Sequence, residues 1–152
     1  MISRRGFLLL GVATAAEAQL PPNIQQTRKA AFDEAIRKVV GGAEVKEGKV
    51  KLDVPPLIDN GNAVPLAVEV ESPMSAADHV KAVHIFTERN PQPNVLTAHL
   101  GPRAGKARVA TRARIADTGT VMAIAQMSDG SFWSHSVRVI VTLSACLEEG
   151  LI

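Results

Sequence analysis

Along the stretch from Ser136 to Leu143 the chain alternates. Val137, Val139, Val141 and Leu143 fall between Ser136, Arg138, Ile140 and Thr142. A period of two sends the valines to one face of a strand, so a strand is predicted over 132–143. By the same parity Ala145 points inward and Cys146 outward, where the strand leaves its sheet. An earlier stretch follows a different period. Phe32, Ala35, Ile36 and Val39 sit at i, i+3, i+4 and i+7, the stripe of an amphipathic helix predicted over 27–40. Asp33 with Arg37 and Glu34 with Lys38 supply acid-to-base pairs four residues apart on its solvated side. Gly41-Gly42 ends the helix as a cap; a phosphate loop would need a strand before it and a helix after it. Residues 19–26 (Q-L-P-P-N-I-Q-Q) read as an extended leader, because adjacent prolines donate no hydrogen bond and resist helix.

From Gly48 onward short apolar alternations are separated by turn residues. Strands are predicted at 49–54, 63–71, 79–88, 94–100, 107–116, 120–127 and 132–143, with tight turns at Asn60-Gly61 and Asp129-Gly130. Seven short strands and no second helix predict a mainly β chain, an immunoglobulin-like antiparallel β-sandwich of about seven strands. The single N-terminal helix is expected to pack on its side or edge. One domain spans 19–143, and 144–152 forms a C-terminal tail.

The first residues change the setting. Ser3-Arg4-Arg5-Gly6-Phe7-Leu8 places paired arginines before an apolar run, and Ala16-Glu17-Ala18 offers a small-x-small cleavage pattern. Residues 1–18 are therefore expected to be a twin-arginine (Tat) signal peptide cut between Ala18 and Gln19. The apolar run from Gly6 to Ala16 is too short for a bilayer span, which needs about 20 residues. The mature protein is expected in the periplasm, with no membrane attachment after cleavage. The 152-residue chain carries 17 basic and 15 acidic residues, a net charge of +2. Loss of Arg4, Arg5 and Glu17 leaves it one unit positive, which gives no footprint for nucleic acid. The aromatics that remain are Phe32, Phe86, Phe132 and Trp133, so Val, Ile, Leu and Ala must fill most of the core.

Cys146 is the only cysteine. In an oxidising compartment an odd cysteine points to a reactive thiol or an intermolecular bond. A catalytic nucleophile also needs a base, an orienting group and an oxyanion site on a rigid scaffold; a terminal tail does not supply these, and no catalytic residue is assigned. The histidines, His79, His84, His99 and His135, form no close pair with metal-ligand spacing, so neither a metal site nor a cofactor is expected. In R-A-G-K-A-R-V-A-T-R-A-R (Arg103 to Arg114), Val109, Thr111, Ala113 and Ile115 alternate with Arg108, Arg112 and Arg114. This is the pattern of a solvated strand face, and the alternative is a docking surface for an acidic partner.

Several stretches together resemble the SoxY family: N-G-N-A-V-P (60–65), E-S-P-M (71–74), V-K-A-V-H-I-F (80–86), E-R-N-P-Q-P (88–93) and M-S-D-G-S-F (127–132). The single helix ending in Gly41-Gly42 and the lone thiol beyond the last strand fit as well. The resemblance implies a non-catalytic sulfur carrier of a thiosulfate-oxidising system. Cys146 would be the covalent attachment site for thiosulfate-derived sulfur. The resemblance also implies a heterodimer with a SoxZ-like subunit and transient visits to SoxXA, SoxB and, where present, SoxCD. The strand from Val80 to Phe86 is the expected partner-facing strand. The tail departs from the family's G-G-C-G-G. It reads S-A-C-L-E-E-G-L-I, and carboxylates beside a thiol disfavour the thiolate and repel an anion. Two other readings stay open: a paralogue handling a different sulfur compound, and an assembly subunit joined to its partner by a Cys146 disulfide.

Overall fold

The computed structural model describes residues 20–142. The signal peptide, its Ala18/Gln19 cleavage point, Leu143 and the tail with Cys146 lie outside the described residues. Within them the order is α1 (Pro22–Val40), β1 (Val45–Glu47), β2 (Val50–Asp53), β3 (Leu57–Ile58), β4 (Val64–Val70), β5 (Val80–Thr87), β6 (Asn94–His99), β7 (Arg108–Ala113), β8 (Gly119–Met127) and β9 (Phe132–Val141). A short 3₁₀ turn covers Pro102–Ala104.

The larger sheet runs β1-β9-β8-β5-β6 with β3 also on β9, and the smaller runs β2-β4-β7. Their facing sides enclose the main core. Val68, Val80, Val83, Ile85, Val121, Ala123 and Val139 there are fully shielded. The immunoglobulin-like sandwich expected from the alternations is present, with nine strands among the described residues rather than seven. The two extra strands are short, and both pair in parallel with β9: Val45–Glu47 with Phe132–Ser134, and Leu57–Ile58 with Ile140–Val141. Pieces of two or three residues carry too little alternation to show in the sequence. A parallel partner also comes from a distant part of the chain.

Helix α1 begins earlier than its periodicity suggests. The two prolines do not extend the leader. Pro22 stands at the first helical position, where its missing N–H costs nothing and its fixed φ suits the helix. Gly41 caps the other end at φ 61°, and its N–H is bonded to Arg37 O at 2.8 Å. The expected Asp33–Arg37 and Glu34–Lys38 pairs are replaced by Lys29–Asp33 and Glu34–Arg37, at 3.2 and 3.0 Å. All four side chains are about half exposed or more, so such pairs interchange at little energetic difference.

The helix packs on the side of the sandwich, against the outer face of the larger sheet, and not at an edge. Phe32 and Val40 meet Phe86, Ile124 and Phe132 there, with Ala35, Ile36 and Val39 beside them. This second layer explains the burial of β5. The sandwich core takes Val83 and Ile85 and the helix layer takes Phe86, leaving Lys81 as the exposed residue of the strand. The expected partner-facing strand is thus interior, with its backbone paired to β6 and β8.

Asp129-Gly130 forms the expected β8–β9 hairpin turn, with Gly130 at φ 86° and its N–H on Met127 O. The Ser131 hydroxyl and N–H both donate to Asp129 Oδ1 and hold its carboxyl below the ordinary range. Asn60-Gly61 makes no hairpin. The chain crosses there from β3 in one sheet to β4 in the other.

Candidate functional site

The valine alternation of β9 is realised as expected. Val139 and Val141 are buried, while Ser136, Arg138, Ile140 and Thr142 are exposed. The strand ends at Val141, so the end of the sandwich around Val141 and Thr142 is the root of the segment that carries Cys146. Two family-like motifs converge on this root. N-G-N-A-V-P precedes and enters β4, and E-R-N-P-Q-P leaves β5; E-S-P-M and M-S-D-G-S-F lie at the opposite end, near Val80 and Met127.

The root is held on several sides. Ile140 N donates to Pro56 O at 2.8 Å and Thr142 N to Ile58 O at 2.9 Å. The Thr142 hydroxyl donates to Asp59 O at 3.1 Å. Thr118 Oγ1 accepts from Val141 N at 2.9 Å and reaches Val141 O at 3.4 Å. Beneath them Gly61 lies against Ile115, whose N–H donates to Gly61 O at 2.8 Å. A Cβ on Gly61 would stand 2.2 Å from Ile115 O and 3.3 Å from Val141 Cγ1. Only hydrogen fits at this crossing.

Polar side chains buried around the root do the rest. Asn90 bridges two backbone groups, donating to Arg114 O and accepting from Ala116 N, both at 2.8 Å. Glu88 Oε2 accepts from Thr120 N at 3.0 Å, and its other oxygen faces Arg89 Nη2 at 3.4 Å. Arg89 Nη1 reaches back to Gln25 O, and Arg28 Nη1 donates to Arg89 O at 2.6 Å. Asp117 accepts from Leu20 N at 3.1 Å and from Thr118 N at 2.8 Å. The helix start, the β5–β6 loop and the exit of β9 are thereby joined in one hydrogen-bonded frame. Such a frame holds Val141 and Thr142, the last described residues, in place. Sequence reading placed the exit on β9 but missed Asn90, Asp117 and Thr118. The polar E-R-N run closing an otherwise buried strand was the signal available.

His84 on β5 and His99 on β6 are neighbours across the paired strands, while His79 and His135 bond elsewhere. His79 Nδ1 lies 3.1 Å from Ser75 O, and His135 Nδ1 accepts from Leu52 N at 3.0 Å. His84, on β5, holds Thr97 Oγ1 at 3.0 Å and stacks on Phe86 at 6.3 Å. Among the described residues no three His, Cys, Asp or Glu gather as metal ligands. His84 is buried, its Nε2 has no hydrogen-bond partner, and burial pushes its pKa below the ordinary 6.5, with nearby His99 adding to the effect. The folded state therefore refuses a proton that the unfolded chain accepts. The stability contributed by neutral His84 is present above pH 6.5 and is lost as the pH falls below it toward the depressed folded value. Thermal unfolding followed from about pH 7.5 to about pH 5.5 should show a falling melting temperature. His84→Gln should flatten that slope; an unchanged slope would remove His84 as its source.

The fold defines a class: an immunoglobulin-like sandwich with one helix laid on the outer face of its larger sheet. A family model described as sulfur oxidation protein SoxY matches residues 36–146. The chain belongs to the SoxY family. The solved sulfur carrier protein SoxY from Chlorobium limicola f thiosulfatophilum is similar, with 27% identity, 75% of this chain and 98% of that chain covered, and a TM-score of 0.63. Superoxide reductases share the fold alone. The neelaredoxin from Ignicoccus hospitalis is 16% identical over 62% of this chain and 80% of its own, with a TM-score of 0.54. The superoxide reductase from Nanoarchaeum equitans is 12% identical over 63% and 100%, with a TM-score of 0.53. No curated protein matches the chain.

Proposed function

We propose that this chain is an exported, non-catalytic sulfur carrier that holds thiosulfate-derived sulfur covalently on Cys146. The observation that carries the reading is the family match, which runs from within α1 through the whole sandwich to Cys146 itself. The described frame suits it. Four Cα steps from Thr142 allow Cys146 at most about 14 Å of reach, so the thiol stays tied to the framed root while it visits other active sites. Attachment is an oxidation: the thiol and thiosulfate form an S–S bond, releasing one proton and two electrons to a cytochrome acceptor of SoxXA type. Water then cleaves the terminal S–S bond of the conjugate, releasing hydrogen sulfate and leaving a persulfide on Cys146. A SoxB-type hydrolase supplies that second step. The chain contributes an anchored thiol and a docking face for a SoxZ-like subunit.

Intact mass of the protein, isolated without reductant from cells grown with and without thiosulfate, tests this. Sulfur or thiosulfonate adducts are expected on the wild type and should be absent from Cys146→Ser. A bare thiol under both conditions would defeat the carrier reading. A plain disulfide dimer, equally present without thiosulfate, would support the assembly reading instead.

A further inference from the structure

The two sheets approach each other closely along one side, where Leu52 N of β2 bonds His135 of β9. On the other side β6 and β7 are the outermost strands of their sheets, and neither has a second strand partner among the described residues. Between them lies a cleft of about 580 Å³, with Ile85, Val95 and Leu96 on one wall and Arg112, Ala113 and Arg114 on the other. Val95, Leu96 and Ala113 are only partly covered, and both arginines are exposed. Arginines on an edge strand can serve merely to keep copies apart. Here they line the rim of the same cleft as Val95 and Leu96, and each lip of the cleft carries an unpaired strand edge, a combination that suits an extended peptide bearing carboxylates.

Such a peptide begins a short distance away. The cleft reaches the root frame through Asn90, which lines it and bonds Arg114 O and Ala116 N. Ile115, between them, meets Gly61 beside Val141. Beyond Cys146 the sequence continues Leu147-Glu148-Glu149-Gly150-Leu151-Ile152, a stretch past the end of the family match. The seven Cα steps from Thr142 to Glu149 span up to about 25 Å, ample for the neighbouring cleft. The segment pairs two carboxylates with three large apolar side chains, and the cleft pairs two guanidinium groups with an apolar wall.

We propose that residues 147–152 dock in the β6–β7 cleft, with Glu148 and Glu149 at Arg112 and Arg114 and the apolar side chains toward Val95 and Leu96. Docking parks Cys146 against the sandwich and withholds it from partners until the tail is released. This goes beyond the carrier reading and stands whether or not the thiol bears sulfur.

The test is the alkylation rate of Cys146 by an uncharged maleimide at low ionic strength. It compares the full chain with Arg112→Glu/Arg114→Glu, with Glu148→Lys/Glu149→Lys, and with the two pairs combined. Loss of two exposed ion pairs should speed alkylation about three- to tenfold, and the combined charge swap should restore the slow rate. Lysines beside the thiol activate it locally, but that effect would persist in the combined variant, whereas docking reverses it. In the wild type alone, salt at about 1 M cuts the screening length to about 3 Å and should give a similar acceleration, independent of how any variant folds. Equal rates for wild type and the arginine variant, with no salt effect, would overturn the proposal. A slow rate that depends on protein concentration would also overturn it, since the tail would then occupy a second copy.

Discussion

Phe86→Ala is expected to lower the free energy of unfolding by about 3–5 kcal/mol. Phe86 is fully shielded on the outer face of the larger sheet. It meets Phe32 of α1 edge-to-face, with centroids 6.3 Å apart and planes at 86°. With Val40, Ile124 and Phe132 these two rings form the whole buried cluster between helix and sheet, so truncation removes the centre of a small layer that has few atoms with which to collapse. Urea unfolding should show an earlier midpoint with a similar slope. Phe32→Ala should be less than additive with it, because the two rings share one contact. A loss below about 1 kcal/mol would mean that the layer repacks, and that the Arg28–Arg89 and Arg89–Gln25 hydrogen bonds hold the helix instead.

Gly61→Ala is expected to cost about 2–4 kcal/mol, from overpacking together with the strained or broken Ile115-to-Gly61 hydrogen bond. The obstacle is a backbone oxygen 2.2 Å from the added carbon, which no rotamer change relieves. Because Val141 lies against the same point, the exit of β9 should loosen with it. Amide exchange at Val141 and Thr142 should quicken more than at Val121 or Ala123, in the middle of the sheet. Gly101→Ala is the control. It has open space around the added carbon and an extended backbone, φ −132°, and should be close to neutral. Uniform acceleration across both strands would show global destabilisation and no special role for Gly61 at the root.

How much of this was legible in the sequence varies by element. The valine alternation of β9 fixed its buried face, because period-two burial is a local property of an extended chain. The Asp129-Gly130 turn and the Gly41 cap were equally local: each needs a backbone conformation that glycine reaches without strain. On β7 the arginines face solvent as their spacing indicated. Pro22 was misread for an instructive reason. Proline breaks a helix interior and favours a helix start, and the apolar stripe that would have distinguished the two begins only at Phe32. Asn60-Gly61 has the composition of a hairpin turn, yet serves as a crossing where a glycine lets two backbones touch.

The residues around the exit show where sequence stops. Cys146 stands out in the sequence as an odd thiol, and its distance from the last strand is a matter of counting. What surrounds the root is another matter. Asn90, Arg114–Thr118, Gly61 and Val141 are separated by tens of residues and meet only because two sheets stack, and no periodicity records which loops share an end of a sandwich. The same holds for the helix, whose stripe showed that it must bury a face but not which one. The sequence by itself determined the seven longer strands, the inward face of β9, the body of the helix and the thiol, because each is set by neighbours within a few residues. Only the tertiary structure decided the parallel partners of β9, the helix layer over β5, the polar frame at the exit and the open cleft between β6 and β7, because those depend on pairings between distant segments that bury apolar surface together.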